Sequence, residues 1–197
     1  MTVFVVTVDQ RGSRSAPDRV PDAVAALSGV DMLRPFERTA GDEFQGVLDV
    51  PGSLPRVLET LLRDGTWNIG VGIGSVALPL PESARAGNGP AYLLARSAVT
   101  AAKSSPWHLR VSGEDAGARD LESVLWLWAA LLDRRTDKGW EVTDLVDTGL
   151  SYDEAGRRLG ISQSAVSQRA QAAGLVEGRR ARELVGHLAN RLLGQDD

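Results

Sequence analysis

Two adjacent carboxylates, Asp42 and Glu43, lie in a short polar turn between two runs of β-strand character, with Gly41 just before them. A third carboxylate, Asp9, follows the apolar run over residues 2–8. Hard cations such as Mg²⁺ take oxygen ligands and commonly share them with a substrate phosphate. If the strand end and the turn meet at one end of a sheet, these acids form a site for Mg²⁺ or Mn²⁺. The alternative is an ordinary solvated hairpin turn.

Composition excludes several classes of protein. The chain has 197 residues, a net charge of −4 and 43% hydrophobic residues, so it can bury a core and is not, as a whole, an electrostatic nucleic-acid binder. The absence of Cys excludes disulfides and thiolate metal sites, and only two His argue against a His-rich zinc site. With neither a membrane-length apolar run nor a signal-peptide pattern, the sequence predicts a soluble cytoplasmic protein without a membrane partner.

The order of strand and helix patterns predicts two domains. Residues 1–112 follow the order β-α-β-β-α-β-α-β, which predicts an α+β fold with a ferredoxin-like antiparallel sheet and covering helices. Residues 113–120 are rich in Gly and acids and are predicted to form a linker. Residues 121–197 read as helical throughout and are predicted to form an all-α domain.

Glycines at alternate positions distinguish one predicted strand, over residues 67–76. Gly70, Gly72 and Gly74 would leave one face of this strand without side chains, because side chains in a strand alternate between faces. Bare backbone in a strand indicates the close approach of a ligand or of another backbone, and both remain open.

A helix-turn-helix pattern covers residues 151–174. The small residues Ala155 and Gly156 allow two helices to pack closely, and Gly160 suits the positive φ that the turn requires. Ser162 is a favourable N-cap for the second helix. The segment 151–193 carries seven Arg against four acidic residues, a local charge of +3 in an otherwise acidic chain.

The second helix of this pattern would lie in the major groove of double-stranded DNA, with its N-terminal residues at the base edges. Gln can pair with adenine, Arg with guanine, and Ser with bases or phosphate. The predicted DNA-binding residues are Ser162, Gln163, Ser164, Ser167, Gln168 and Arg169. The stretch is similar to region 4 of sigma factors and to many bacterial repressors, although Arg169 stands where such motifs often hold an apolar residue. A homodimer is expected, since two-fold operators match two-fold proteins; a helical hairpin that binds no DNA is the alternative.

Four blocks of the N-terminal part carry a resemblance to known families: residues 9–14 (DQRGSR), 39–48 (TAGDEFQGVL), 70–76 (GVGIGSV) and 89–96 (GPAYLLAR). Together they resemble the SatD family, whose activity is poorly characterised. The same blocks resemble, more distantly, the palm domain of diguanylate cyclases and class III nucleotide cyclases.

The palm resemblance implies a site for a nucleoside triphosphate. By that similarity Asp9, Asp42 and Glu43 would be metal ligands, and Glu43 would be the catalytic residue if the protein is an enzyme. Lys103 occupies the place of a phosphate-binding Lys. Two-metal chemistry needs such a positive charge beside the carboxylates to stabilise the leaving group. The other positions predicted to bind the ligand are Arg14, Gly41, Arg85, Gly87, Gly89 and Arg96.

Two departures from the cyclase pattern favour binding over turnover. Ala40 replaces the first Gly of the cyclase signature, and Gln10 to Gly12 stand where a second acid commonly follows the first. The sequence therefore predicts a DNA-binding transcriptional regulator whose N-terminal domain senses a nucleotide or another phosphate-bearing ligand. The alternatives are a metal-dependent nucleotide cyclase or nucleotidyltransferase tethered to DNA, and a palm-like domain that serves only for dimerisation.

Overall fold

The computed structural model describes residues 1–194 and has an α+β fold, with a five-stranded mixed sheet and eight α-helices. The strands are β1 (Thr2–Gln10), β2 (Arg34–Ala40), β3 (Glu43–Leu48), β4 (Trp67–Ser75) and β5 (Leu109–Gly113). The helices are α1 (Val20–Leu27), α2 (Ser53–Asp64), α3 (Pro90–Ala102), α4 (Gly117–Asp133), α5 (Asp137–Asp147), α6 (Tyr152–Leu159), α7 (Gln163–Ala172) and α8 (Leu175–Leu192). A 3₁₀ helix covers Ala84–Ala86. No helix within residues 1–194 is long and apolar enough to cross a membrane.

The sheet has the strand order β2-β3-β1-β4-β5. The first three neighbouring pairs are antiparallel, whereas β4 and β5 run parallel. The expectation of an antiparallel sheet therefore fails at β5. The reason is the connection: α3 carries the chain back along the sheet, so β5 starts at the same end as β4.

One face of the sheet carries the largest apolar core. The alternation of side chains along β1 places Phe4, Val6 and Val8 on this face, where they pack in one cluster with apolar residues of α1, α2, α4 and α8. The predicted linker lies only partly outside secondary structure, since residues 114–116 connect β5 to α4 and the residues after them belong to α4. Helices α4 and α8 thus share their core with the sheet, and the division into two domains stays a prediction.

Helix α3 covers the opposite face of the sheet at very close range. A Cβ atom on Gly70 would lie 2.6 Å from the carbonyl oxygen of Ala95, and one on Gly72 would lie 2.9 Å from the Cα of Ala95. Real Cβ atoms do not approach backbone so closely, so these positions require glycine. The bare face of β4 therefore accommodates another backbone, which is the second of the two alternatives left open by the sequence.

Helices α5, α6 and α7, together with the first residue of α8, enclose a small separate core made of Val142, Val146, Ala155, Val166, Ala170 and Leu175. Helix α6 ends at Gly160, whose φ is +67°, and Ser162 caps α7 by accepting a hydrogen bond from the backbone N–H of Ala165 at 3.2 Å. The roles predicted for Gly160 and Ser162 in this turn are confirmed.

Candidate functional site

The pairing of the central strands brings two of the predicted acids together. Asp9 at the end of β1 is directly opposite Glu43 on β3 and directly opposite Asn68 on β4. Residues directly opposite each other in an antiparallel pair share a face, with Cβ atoms about 5 Å apart. Asp42 lies in the adjoining turn, where its backbone carbonyl accepts a hydrogen bond from the N–H of Gln10 at 3.1 Å. All three acids therefore lie at one end of the sheet, where β1 ends and β3 begins.

Both sheet carboxylates already have partners of opposite charge. The Nζ of Lys103 is 3.2 Å from Oδ2 of Asp9, and the same oxygen accepts a hydrogen bond from Nδ2 of Asn68 at 2.9 Å. Oε1 of Glu43 accepts a hydrogen bond from Thr39 at 2.7 Å and lies 3.7 Å from Nη2 of Arg96. Arg96 on α3 and Lys103, which directly follows α3, are seven residues apart, about two helical turns, so they project along one side of the helix.

These contacts compete with the binding of a metal ion by the same carboxylates. Within residues 1–194, no group of three or more His, Cys, Asp or Glu side chains is arranged to hold a metal ion. A cation bound to Asp9 and Glu43 would compete with Lys103 and Arg96 for these carboxylates. The assignment of Asp9, Asp42 and Glu43 as metal ligands remains a prediction from sequence.

A cleft of about 840 Å³ opens beside Asp9, between the loop over residues 11–15, the turn at 41–42 and the end of α3. This volume lies in the range of pockets for small molecules. Three cationic side chains, Arg11, Arg14 and Lys103, line the cleft together with two acids. The excess of cations suits a ligand with a phosphate group.

The residues predicted to bind a ligand fall into two groups. Arg14, Gly41 and Lys103 line the cleft, and Arg96 lies close by because it contacts Glu43. Three others lie in the loop before α3, away from the cleft: Arg85, Gly87 and Gly89.

The three residues of that loop have structural contacts of their own. The backbone N–H of Arg85 donates to Oε1 of Glu37 at 2.8 Å. A Cβ on Gly87 would overlap the Tyr92 ring, and Gly89 has a φ of +127° and would place a Cβ 2.9 Å from the Cα of Val76. Both glycines therefore serve the packing of the loop against β4 and α3.

The polar cleft residues that sequence reasoning missed include Asn68 and His108. Oδ1 of Asn68 is 3.1 Å from Nδ1 of His108. Among residues 1–194, His108 is the one non-glycine residue with a positive φ, at 48°. Burial, together with the nearby Arg11 guanidinium, holds the pKa of His108 below its ordinary value. Neither residue belongs to a motif: Asn68 is the second residue of β4, and His108 immediately precedes β5.

Helix α7 presents a polar, solvent-facing surface. Of the predicted DNA-binding residues, Ser162 is engaged as the helix cap and four others are exposed: Gln163, Ser164, Ser167 and Gln168. Arg169 is different, because its side chain is only 28% exposed and approaches Glu141 of α5 at 4.0 Å. Its contact with α5 explains how an Arg fits where related motifs hold an apolar residue, and it turns the guanidinium away from the exposed side of α7.

Ion pairs connect the C-terminal helices to α2. Arg182 of α8 makes two hydrogen bonds of 2.9 Å to the carboxylate of Glu59 and one of 3.0 Å to Asp147. Arg63 of α2 makes two bonds, of 2.8 and 2.9 Å, to Asp144 of α5. These contacts fix the orientation of α5 and α8 relative to the sheet.

Comparison with known proteins gives no family or homologue for this chain: no protein-family model, curated protein or solved structure matches it. The resemblances to the SatD family and to the nucleotide cyclases therefore rest on the sequence blocks alone.

Proposed function

We propose that the protein is a DNA-binding transcriptional regulator whose N-terminal part senses a nucleotide or another phosphate-bearing ligand. The observation that carries the proposal is the pair α6–α7, joined by a tight turn at Gly160 and packed on its own small core with α5. Two helices joined in this way, with a polar exposed second helix, suit the major groove of DNA.

In this proposal exposed polar residues in the first two turns of α7 read the bases. Gln163, Ser164 and Gln168 supply hydrogen-bonding groups for base edges. Arg157 and Arg158 are exposed on α6, the helix that crosses the phosphate backbone in such complexes, and they supply positive charge there. A homodimer belongs to the same proposal, and sedimentation of the free protein and of its DNA complex would test it.

The cleft beside Asp9 supports the sensing part of the proposal. The first four strands with α1 and α2 follow the order β-α-β-β-α-β with antiparallel neighbours, the arrangement expected of a ferredoxin-like, palm-like domain. The three cationic side chains of the cleft, Arg11, Arg14 and Lys103, suit a phosphate group. Regulation requires two states with different affinity for DNA, and the ion pairs of Glu59 and Arg63 provide contacts through which the sheet can bias the position of α5 and α8.

The experiment that tests DNA binding is selection from a random double-stranded library, followed by titration of the enriched site at fixed salt. Gln168→Ala should weaken specific binding by about tenfold or more, because one good base contact contributes about 1–3 kcal/mol. Gln171→Ala is the matched control: Gln171 is exposed on the same helix but one turn further from its N-terminus. No enriched sequence, or equal losses for both variants, would contradict the proposal.

A second candidate function is a metal-dependent nucleotide cyclase or nucleotidyltransferase tethered to DNA. The direct opposition of Asp9 and Glu43, with Lys103 beside them, favours it. Incubation with each of the four nucleoside triphosphates and Mn²⁺, with chromatography of the products, tests it. A cyclic or linked nucleotide that disappears with Asp42→Asn and Glu43→Gln would establish the enzyme. An absence of product would favour the proposal that the N-terminal part senses a nucleotide without converting it.

A further inference from the structure

A continuous chain of polar contacts runs from α3 to the residue before β5. Lys103 contacts Asp9, Asp9 accepts from Asn68, and Asn68 contacts His108. An ionised carboxylate can only accept hydrogen bonds, so Asn68 must direct its amide nitrogen toward Asp9. Its oxygen, which is only an acceptor, then faces the ring of His108.

This chain determines which ring nitrogen of His108 carries a proton. Because Oδ1 of Asn68 needs a donor, Nδ1 of His108 must be protonated to make the 3.1 Å contact. In a neutral ring, Nε2 is then an acceptor with a free lone pair. The lowered pKa, caused by burial and by Arg11, favours this neutral form.

The position of the ring is held by the backbone as well. His108 accepts a hydrogen bond from the N–H of Ile69 at 2.7 Å through its carbonyl and donates its own N–H to Ser105 at 3.2 Å. A non-glycine residue rarely adopts the left-handed region, because its Cβ atom crowds the following carbonyl oxygen. These contacts keep the imidazole at the wall of the cleft, near the cations that suit a phosphate group.

We infer that the ligand of this cleft carries a hydrogen-bond donor next to its phosphate, and that Nε2 of His108 accepts from this donor. The ligand class is then a nucleotide, whose ribose hydroxyls and base N–H groups are donors, and not an inorganic polyphosphate such as tripolyphosphate, which has no donor once it is fully ionised. The inference rests on the proposed sensing function and assigns His108 as the residue that distinguishes these two kinds of phosphate compound.

The tautomer of His108 can be measured on the free protein by ¹⁵N NMR of the ring nitrogens. The chain has two His, and His187, exposed on α8, serves as the internal reference. We expect His108 to be neutral near pH 7 with its proton on Nδ1. A proton on Nε2 would overturn the inference, because that nitrogen could then not accept from a ligand.

Titration of the full chain with the four nucleoside triphosphates and with tripolyphosphate, above neutral pH, tests the ligand class. We expect at least one nucleotide to bind about tenfold more tightly than tripolyphosphate, as one well-placed hydrogen bond allows, and to shift the Nε2 resonance of His108 but not that of His187. His108→Asn, which tolerates the positive φ, should reduce nucleotide affinity to about that of tripolyphosphate. His187→Asn should leave it unchanged.

The outcomes separate this inference from the proposed function. Equal affinity for nucleotides and tripolyphosphate, or unchanged nucleotide binding by His108→Asn, would overturn the inference and leave a sensor of phosphate. If neither compound bound, the inference and the sensing function would both be wrong, whereas the test of DNA binding would be unaffected.

Discussion

Replacement of Glu59 by Gln should destabilise the protein far more than the loss of an ordinary surface charge. Glu59 lies on α2 with its side chain 17% exposed, and it faces two guanidinium groups. Arg182, 30% exposed, makes two hydrogen bonds to it, and Nη1 of Arg135, whose side chain is 2% exposed, lies 3.7 Å from Oε1. Burial lowers the pKa of Arg135, but Glu59 opposes this by favouring the charged form. Gln keeps the shape of the side chain and removes its charge.

The expected cost is about 3 kcal/mol in the free energy of unfolding. Removal of one partner from a buried ion pair costs about 3–5 kcal/mol, because the remaining charge is left without compensation. The lower end of this range applies here, because both guanidinium groups keep another partner. Arg182 keeps its contact with Asp147 at 3.0 Å, and Arg135 still donates to the carbonyl of Ala173 at 2.8 Å. For a chain of this size, about 3 kcal/mol corresponds to a decrease in Tm of roughly 6–12 °C.

Thermal and urea unfolding, followed by circular dichroism, measure this effect, and the chain offers a matched control. Glu183 pairs with Arg180 on the surface of α8 at 2.8 Å, with side chains 55% and 78% exposed. Glu183→Gln should change stability by less than about 1 kcal/mol, as is usual for exposed pairs. If Glu59→Gln and Glu183→Gln had the same unfolding temperature, the argument that Glu59 compensates a desolvated Arg135 would be refuted.

Three further predictions concern packing, pH and DNA. Gly72→Ala should lower the free energy of unfolding by about 3 kcal/mol or more, because the added Cβ would overlap α3. Gly186 lies in open space within α8, so Gly186→Ala should raise the free energy of unfolding by about 0.5–1 kcal/mol in the same assay. Burial raises the pKa of Glu37, but the hydrogen bonds from Ser83 and Arg85 outweigh it, so the pKa is lowered in the fold. The stability advantage of wild type over Glu37→Gln should therefore be present at neutral pH and disappear as the pH falls below about 4.5, the ordinary value for Glu; an advantage that persists in acid would contradict this. Arg158→Ala should weaken DNA binding equally for all sequences and reduce the slope of log binding constant against log salt concentration by about 1. An unchanged slope would exclude Arg158 as a phosphate contact.

The features that follow local rules were predictable from the sequence. The cap at Ser162 and the positive φ at Gly160 depend on residues within one turn of each other, and both are found in the structure. The alternate glycines of β4 predicted a close approach to the strand, but only the three-dimensional structure shows that α3 is the element that approaches.

The composition of the cleft was only partly predictable, because it depends on strand register and helix length. Asn68 became relevant only through its pairing with Asp9, and no pattern in the sequence fixes that register. Gly89 and Lys103 are both predicted ligand-binding residues, and they flank α3. Thirteen residues of α3 separate them, about 20 Å at 1.5 Å per residue, so they lie at opposite ends of the sheet.

The contacts of Lys103 relate the sensing proposal to the alternative of catalysis. A metal ion on Asp9 would compete with Lys103 for the same carboxylate, whereas a phosphate group would compete with Asp9 for Lys103. An anionic ligand can therefore bind if the half-exposed ammonium group contacts the phosphate while it stays close enough to Asp9 to compensate that carboxylate. It leaves Asp9 with its hydrogen bond from Asn68, and through Asn68 it leaves His108 in place. The same residues thus suit the reversible binding of a phosphate compound better than the assembly of a metal centre, which is the physical reason for placing the sensor ahead of the enzyme.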